Sequence, residues 1–93
     1  MELKETVSMM TSADHKERFK AEYYQTKIRY EKLRSYNSRI EAAELSRENE
    51  EIATKLEMPP HDCPLSLLKA QAEIMLEYLQ ALEVRAVCEH IEL

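Results

Sequence analysis

Gln71, Tyr78 and Arg85 stand one heptad apart in QAEIMLEYLQALEVR, residues 71–85, a stretch otherwise mostly apolar. On a wheel of 100° per residue this polar column is bracketed on both sides. Leu68, Met75 and Leu82 flank it on one side; Leu67, Ile74, Ala81 and Cys88 flank it on the other. Arg85 offers a planar fork for phosphate or carboxylate, and Tyr78 a ring that stacks or a hydroxyl that donates. The ordinary alternative is structural: buried polar groups bond carbonyls or carboxylates across a helix interface and fix its register. A second set lies upstream, where Lys20, Lys27 and Arg34 form a column beside Tyr23 and Tyr30. Rings flanked by cations suit a nucleotide, with bases on the rings and phosphates on the cations. The same residues also serve packing, since a seam Tyr buries its ring and a flanking Lys covers the core with its stem. The candidate ligand-binding residues are therefore Arg85, Tyr78, Gln71, Lys20, Lys27, Arg34, Tyr23 and Tyr30.

Other chemistry finds little support. His61-x-Cys63 and Cys88-x-His90 resemble metal half-sites. On one helix Cys63 and Cys88 stand about 37 Å apart at 1.5 Å per residue, too far for one tetrahedral site or a disulfide. Asp14 and His15 are helix neighbours that point apart, and no nucleophile has a base nearby. A chain without glycine cannot form a glycine-rich phosphate loop. No catalytic residue, metal ligand or cofactor is assigned, and an enzyme is not expected.

The elements that must position these residues are helices. Glu, Lys, Arg, Leu and Ala dominate, strand and hairpin signals are missing, and the fold class is all-α. Residues 1–10 show little periodicity and read as frayed, within an N-terminal tail over 1–12 whose Thr11 or Ser12 serves as N-cap of the first helix. That helix runs over 13–56. Its seam is Phe19, Thr26, Leu33 and Ile40, with Tyr23, Tyr30 and Asn37 four residues after the first three. Ser35 to Arg39 is a weak spot where the helix bends near residue 37 or the stripe drifts around it; with no Gly or Pro to stop it, a continuous helix to about residue 56 is favoured. Pro59 and Pro60 end that helix, and Pro64 at N1 opens a second over 64–90. Leu65, Ala72, Leu79 and Ala86 form one column of the second helix, and Leu68, Met75 and Leu82 the next. The result is one domain over 13–93, an antiparallel hairpin of two long helices. The arms are about 65 and 40 Å long, so either the first breaks near Asn37 or its overhang meets another subunit. The second helix's apolar arc is wider than one partner covers, so a homo-oligomer is expected.

Charge is unevenly spread. Residues 13–40 carry eight Lys/Arg against four Asp/Glu, whereas 41–57 and 58–93 each carry two against six. A basic arm facing an acidic one suits an antiparallel pair. The overall −5 makes nucleic acid an unlikely partner. No secretory signal and no run of about 20 apolar residues is seen, so a cytoplasmic site without membrane attachment is expected.

Two signatures resemble a known family. Lys20, Glu22, Tyr23, Lys27, Ile28, Lys32 and Leu33 fit K-x-E-Y-x-x-x-K-I-x-x-x-K-L. Gln71, Met75, Tyr78, Leu82 and Arg85 fit Q-x-x-x-M-x-x-Y-x-x-x-L-x-x-R. Together they resemble small phage-encoded helical hairpin proteins of a family first named from crAss-like phages. The segment between the arms is longer here. The resemblance implies a phage protein in the host cytoplasm. By analogy with other short phage hairpins it implies an antagonist of bacterial immunity that sequesters a cyclic nucleotide in an oligomer. Two alternatives stand beside that expectation. One is an inhibitor of a host defence protein of anti-CRISPR type, using the acidic run Glu41, Glu44, Glu48, Glu50 and Glu51. The other is a structural coiled-coil phage protein.

Overall fold

Asp14 begins the longest element. Its carboxylate accepts from the Lys16 amide at 2.9 Å, and Glu17 adds negative charge to the first turn. The N-cap is thus Asp14 rather than Thr11 or Ser12; Ser12 instead supplies acceptors to Asp14 N and to the Arg18 guanidinium. A computed structural model describes residues 1–52 and 55–93. The described residues hold a 3-10 turn at Leu3–Glu5 and three α-helices, and no strand. The helices are α1, Thr6–Met10; α2, His15–Glu48; and α3, Leu65–Cys88.

Helix α2 runs unbroken through Ser35–Arg39, so the weak propensity there does not break it. It does stop earlier than residue 56, and the reason is tertiary. Asn49 leaves helical geometry and its side chain accepts from Glu51 N at 2.9 Å. Lys55 reaches back so that its ammonium donates to the carbonyls of Ser46, Asn49 and Ile52. Ser46 Oγ accepts from Leu56 N at 3.0 Å. Residues 53 and 54 of the expected helix lie outside the described residues.

Helix α3 opens with Pro64 as N-cap rather than N1, its carbonyl accepting from Leu67 and Leu68. It closes two residues before the expected position 90. Ile91 N donates to Ala86 O at 2.8 Å and His90 N to Val87 O at 3.3 Å. That pair of bonds is a Schellman motif. It places His90 at φ 57°, a left-handed position usually filled by glycine. Ile91 then folds onto the core beside Ala86.

At 1.5 Å per residue α2 is about 51 Å long and α3 about 36 Å. They lie antiparallel, with Glu41 beside Lys69 at one end and Phe19 beside Arg85 at the other. The core joins Phe19 and Tyr23 of α2 to Leu79, Leu82 and Ala86 of α3 and to Ile91, with Tyr24 and Tyr30 packed against it. The heptad seam and the Leu65 and Leu68 columns thus face each other. At roughly 1.5–3 kcal/mol for each fully buried large side chain, this is a thin core.

The other side of α2 is covered too. The N-terminal residues do not fray: α1 packs on α2, and Gln25 Nε2 meets Met10 Sδ at 3.5 Å. Thr6 is fully buried, its hydroxyl donating to Leu3 O at 2.7 Å. Further along, residues 55–60 return over α2, where the Tyr36 hydroxyl donates to Pro60 O. The length mismatch is therefore met within the chain, by a shorter α2 and by segments folded onto it.

Candidate functional site

The eight candidate residues fall in three places. At the N-terminal end of α2, Arg85 lies over the Phe19 ring, its Cζ 4.8 Å from the centroid. Its Nε donates to Glu89 Oε2 at 2.7 Å, the i,i+4 partner one turn on. The neighbouring Tyr78 hydroxyl donates to Glu22 of α2. That bond raises the Tyr78 pKa above the usual phenol value, with burial and the Glu22 charge adding to it. The hydrogen bond from Arg85 pulls Glu89 below the usual carboxylate range. In return Glu89 raises the Arg85 pKa.

Gln71 lies apart, two turns earlier, its side-chain amide meeting the Met75 sulfur at 4.0 Å. The bracketing on the wheel makes Gln71 and Arg85 candidates for burial; in the hairpin both are exposed, and Tyr78 is 45% exposed. The reason is that α2 covers the Leu65 and Leu68 columns and leaves the next stripe of α3 open. That open stripe reads Leu67, Gln71, Ile74, Tyr78, Ala81, Arg85, Cys88, all exposed and spaced alternately four and three residues apart. Ile74 is 66% exposed and Leu67 56%.

The cation column of α2 does not act as one unit. Tyr23 is buried in the core, and burial raises its pKa, with Glu83 the next cause. Lys27 sits over its ring at 5.9 Å, and Lys20 is half-buried and pairs with Glu17 at 3.6 Å. Both lysines thus meet partners on α2 itself. Tyr30 and Arg34 line a groove of about 310 Å³ between α2 and α3, together with Asn37, Lys69 and Glu73. Charge matching of a basic first arm to an acidic second arm is not realised as expected. Among the described residues the ion pair joining the helices is Lys69 to Glu41 at 2.9 Å, with the cation on α3.

Phe19, Glu22, Glu89, Asn37, Lys69 and Glu73 belong to these places and are not among the eight candidates. Glu89 was legible as the i+4 neighbour of Arg85. Asn37 was legible as a polar residue in an apolar seam. Glu22 and Lys69 needed the helix register. A second hollow, about 500 Å³, lies under the returning segment between Tyr36, Arg39 and Pro59–Pro60; Arg39 stacks on Tyr36 at 5.1 Å.

Residues 13–87 match the family model described as Sequestin. The chain belongs to the Sequestin family. The Sequestin match takes in all of α2 and all of α3 but Cys88, and so contains the groove, the open stripe from Leu67 to Arg85, and Arg85, Tyr78, Glu22 and Phe19 of the Arg85 cluster but not Glu89. Helix α1 lies outside it. Comparison with curated proteins and with solved structures gave no match. Among the described residues no helix is long and apolar enough to cross a membrane.

Proposed function

We propose that this Sequestin-family chain is a non-enzymatic phage protein that counters bacterial immunity in the host cytoplasm by sequestering a cyclic nucleotide signal. Capture takes place in an assembly of copies packed through the open stripe of α3. The family name supports a sequestering role. The observation that carries the rest is the stripe itself, in which exposed large apolar side chains alternate with exposed Gln71, Tyr78 and Arg85. A regular heptad stripe is a helix-packing surface. An antiparallel pairing of two copies about Tyr78 sets Ile74 opposite Ala81 and Leu67 opposite Cys88, large against small. It also brings each Gln71 near Arg85 of the partner subunit. The polar column then lines a junction that holds cations and aromatic rings from two chains.

Native mass spectrometry with and without cyclic di- and trinucleotides tests this reading. An oligomer that gains nucleotide mass in fixed ratio is expected. Ile74→Glu, placing a charge in the stripe, should convert it to monomer, and Arg85→Glu should abolish nucleotide uptake. A wild-type monomer, or an oligomer that takes up no nucleotide, would refute it.

One observation favours a second reading. Glu41, Glu48, Glu50 and Glu51 are exposed and Glu44 half-buried, all near the C-terminal end of α2. Such a patch suits a basic protein effector of host defence. A complex with a nuclease that weakens steeply with salt would select this reading. An oligomer that binds neither would be a structural coiled-coil protein.

A further inference from the structure

Asn37 sits in the middle of α2 and is 5% exposed. Its Oδ1 has no hydrogen-bond donor, the one buried side-chain atom so placed among the described residues. A buried, unpaired amide oxygen costs stability in a core this thin, so its presence calls for a reason. The surroundings supply one. Asn37 lines the groove of about 310 Å³ between α2 and α3, and so do Tyr30, Arg34, Lys69 and Glu73. Lys69 is engaged by Glu41 at 2.9 Å. Arg34 and Glu73 are exposed and have no ion-pair partner among the described residues. The groove therefore joins an acceptor that lacks a donor, an aromatic ring, a free guanidinium and a free carboxylate.

We propose that this groove is a nucleotide-unit pocket, in which the Asn37 amide, its oxygen closed to solvent in the free hairpin, is uncovered as α2 and α3 part around the ligand and reads the edge of a nucleobase. Every nucleobase carries an N–H donor beside an acceptor, and a carboxamide matches that pair with its oxygen and its NH₂. Tyr30 gives a face for stacking. Arg34 takes phosphate through its fork. Glu73 accepts from ribose hydroxyls, as carboxylates do in dinucleotide sites. The volume lies at the lower end of the ~300–1,000 Å³ range of small-molecule pockets, so one groove holds one nucleotide unit. The inference rests on the sequestration reading and adds a base-recognition locus within each hairpin to the Arg85 cluster at the junction of copies.

The test is a ¹⁵N and ¹³C NMR titration of the full chain with AMP, GMP, CMP and UMP, with ribose 5-phosphate as a probe lacking a base. At least one mononucleotide should shift the Asn37 side-chain amide and the Tyr30 ring, and ribose 5-phosphate should leave both in place. Asn37→Leu should weaken that nucleotide at least tenfold without lowering the melting temperature. Arg34→Gln, at an exposed position, should weaken it through the phosphate and guards against a folding defect at residue 37. Shifts confined to Tyr78 and Arg85, or Asn37→Leu binding as tightly as wild type, would sink the groove and leave sequestration standing. No shift with any nucleotide, together with no mass gain from cyclic nucleotides, would remove both.

Discussion

His90 holds the left-handed position of the α3 C-cap at φ 57°, and glycine at that position should stabilise the protein. For an L-residue the left-handed conformation costs roughly 1–2 kcal/mol, from Cβ crowding the following carbonyl. Glycine removes that crowding but adds freedom to the unfolded chain, worth about 0.4–1 kcal/mol in the other direction. The net gain is about 0.5–1 kcal/mol. For a domain of this size 1 kcal/mol moves Tm by roughly 4–8 °C, so His90→Gly should melt about 3–6 °C higher. His90→Val should go the other way, because a β-branched residue is a poor fit at positive φ. The motif carries more than its own strain. Its 2.8 Å bond from Ile91 to Ala86 is what turns Ile91 into the core. Loss of the motif should therefore expose Ile91 as well as fray the last turn. Melting by circular dichroism, at one fixed protein concentration because association shifts Tm, reads both variants. A His90→Gly protein that melts lower than wild type would refute the strain argument.

Glu89 titrates below an ordinary glutamate because Arg85 donates to it and His15 adds positive charge nearby. A folded-state pKa below the unfolded value contributes stability above the unfolded pKa of about 4.3, and that contribution is lost as pH falls through the folded value. NMR titration of the Glu89 carboxyl should give a depressed midpoint in wild type and an ordinary one in Arg85→Met; equal midpoints would dissolve the pair. Asn37→Leu should raise stability by about 1–2 kcal/mol by removing an unpaired buried amide, and a loss measured by urea unfolding would mean the amide has a partner. Lys55→Ala should speed amide exchange in the last turn of α2, whose carbonyls Lys55 covers; unchanged exchange rates there would assign the stop to Asn49 and the Leu56–Ser46 bond.

The hairpin was legible because both arms carry period-seven stripes, and each stripe identifies the face turned to the other helix. Phe19, Tyr23, Asn37 and Ile40 are buried where that pattern puts them, and so are Leu79, Leu82 and Ala86. Helix α1 was illegible because its five residues are too few to show a period. The end of α2 was illegible because the groups that halt it, Lys55 and Leu56, come from a later segment that folds back. Burial of Gln71 and Arg85 could not be read from a wheel, because the wheel gives the width of the apolar arc and not what covers it. The cation column is divided for a related reason. Three residues at equal spacing share a face, yet Lys20 and Lys27 found partners on their own helix and Arg34 did not.

Helix α2 touches both α1 and α3, and among the described residues those two do not touch each other. The molecule thus has an axle with two independent riders. An event that peels α1 away leaves the α3 contact intact, so local opening at the N-terminus and opening of the hairpin are separate transitions, with separate free energies. Sequence change on one rider is felt on the other only through the axle. The two faces of α2 can therefore be altered one at a time, so a hairpin that keeps its groove unchanged is free to acquire new neighbours along its N-terminal side.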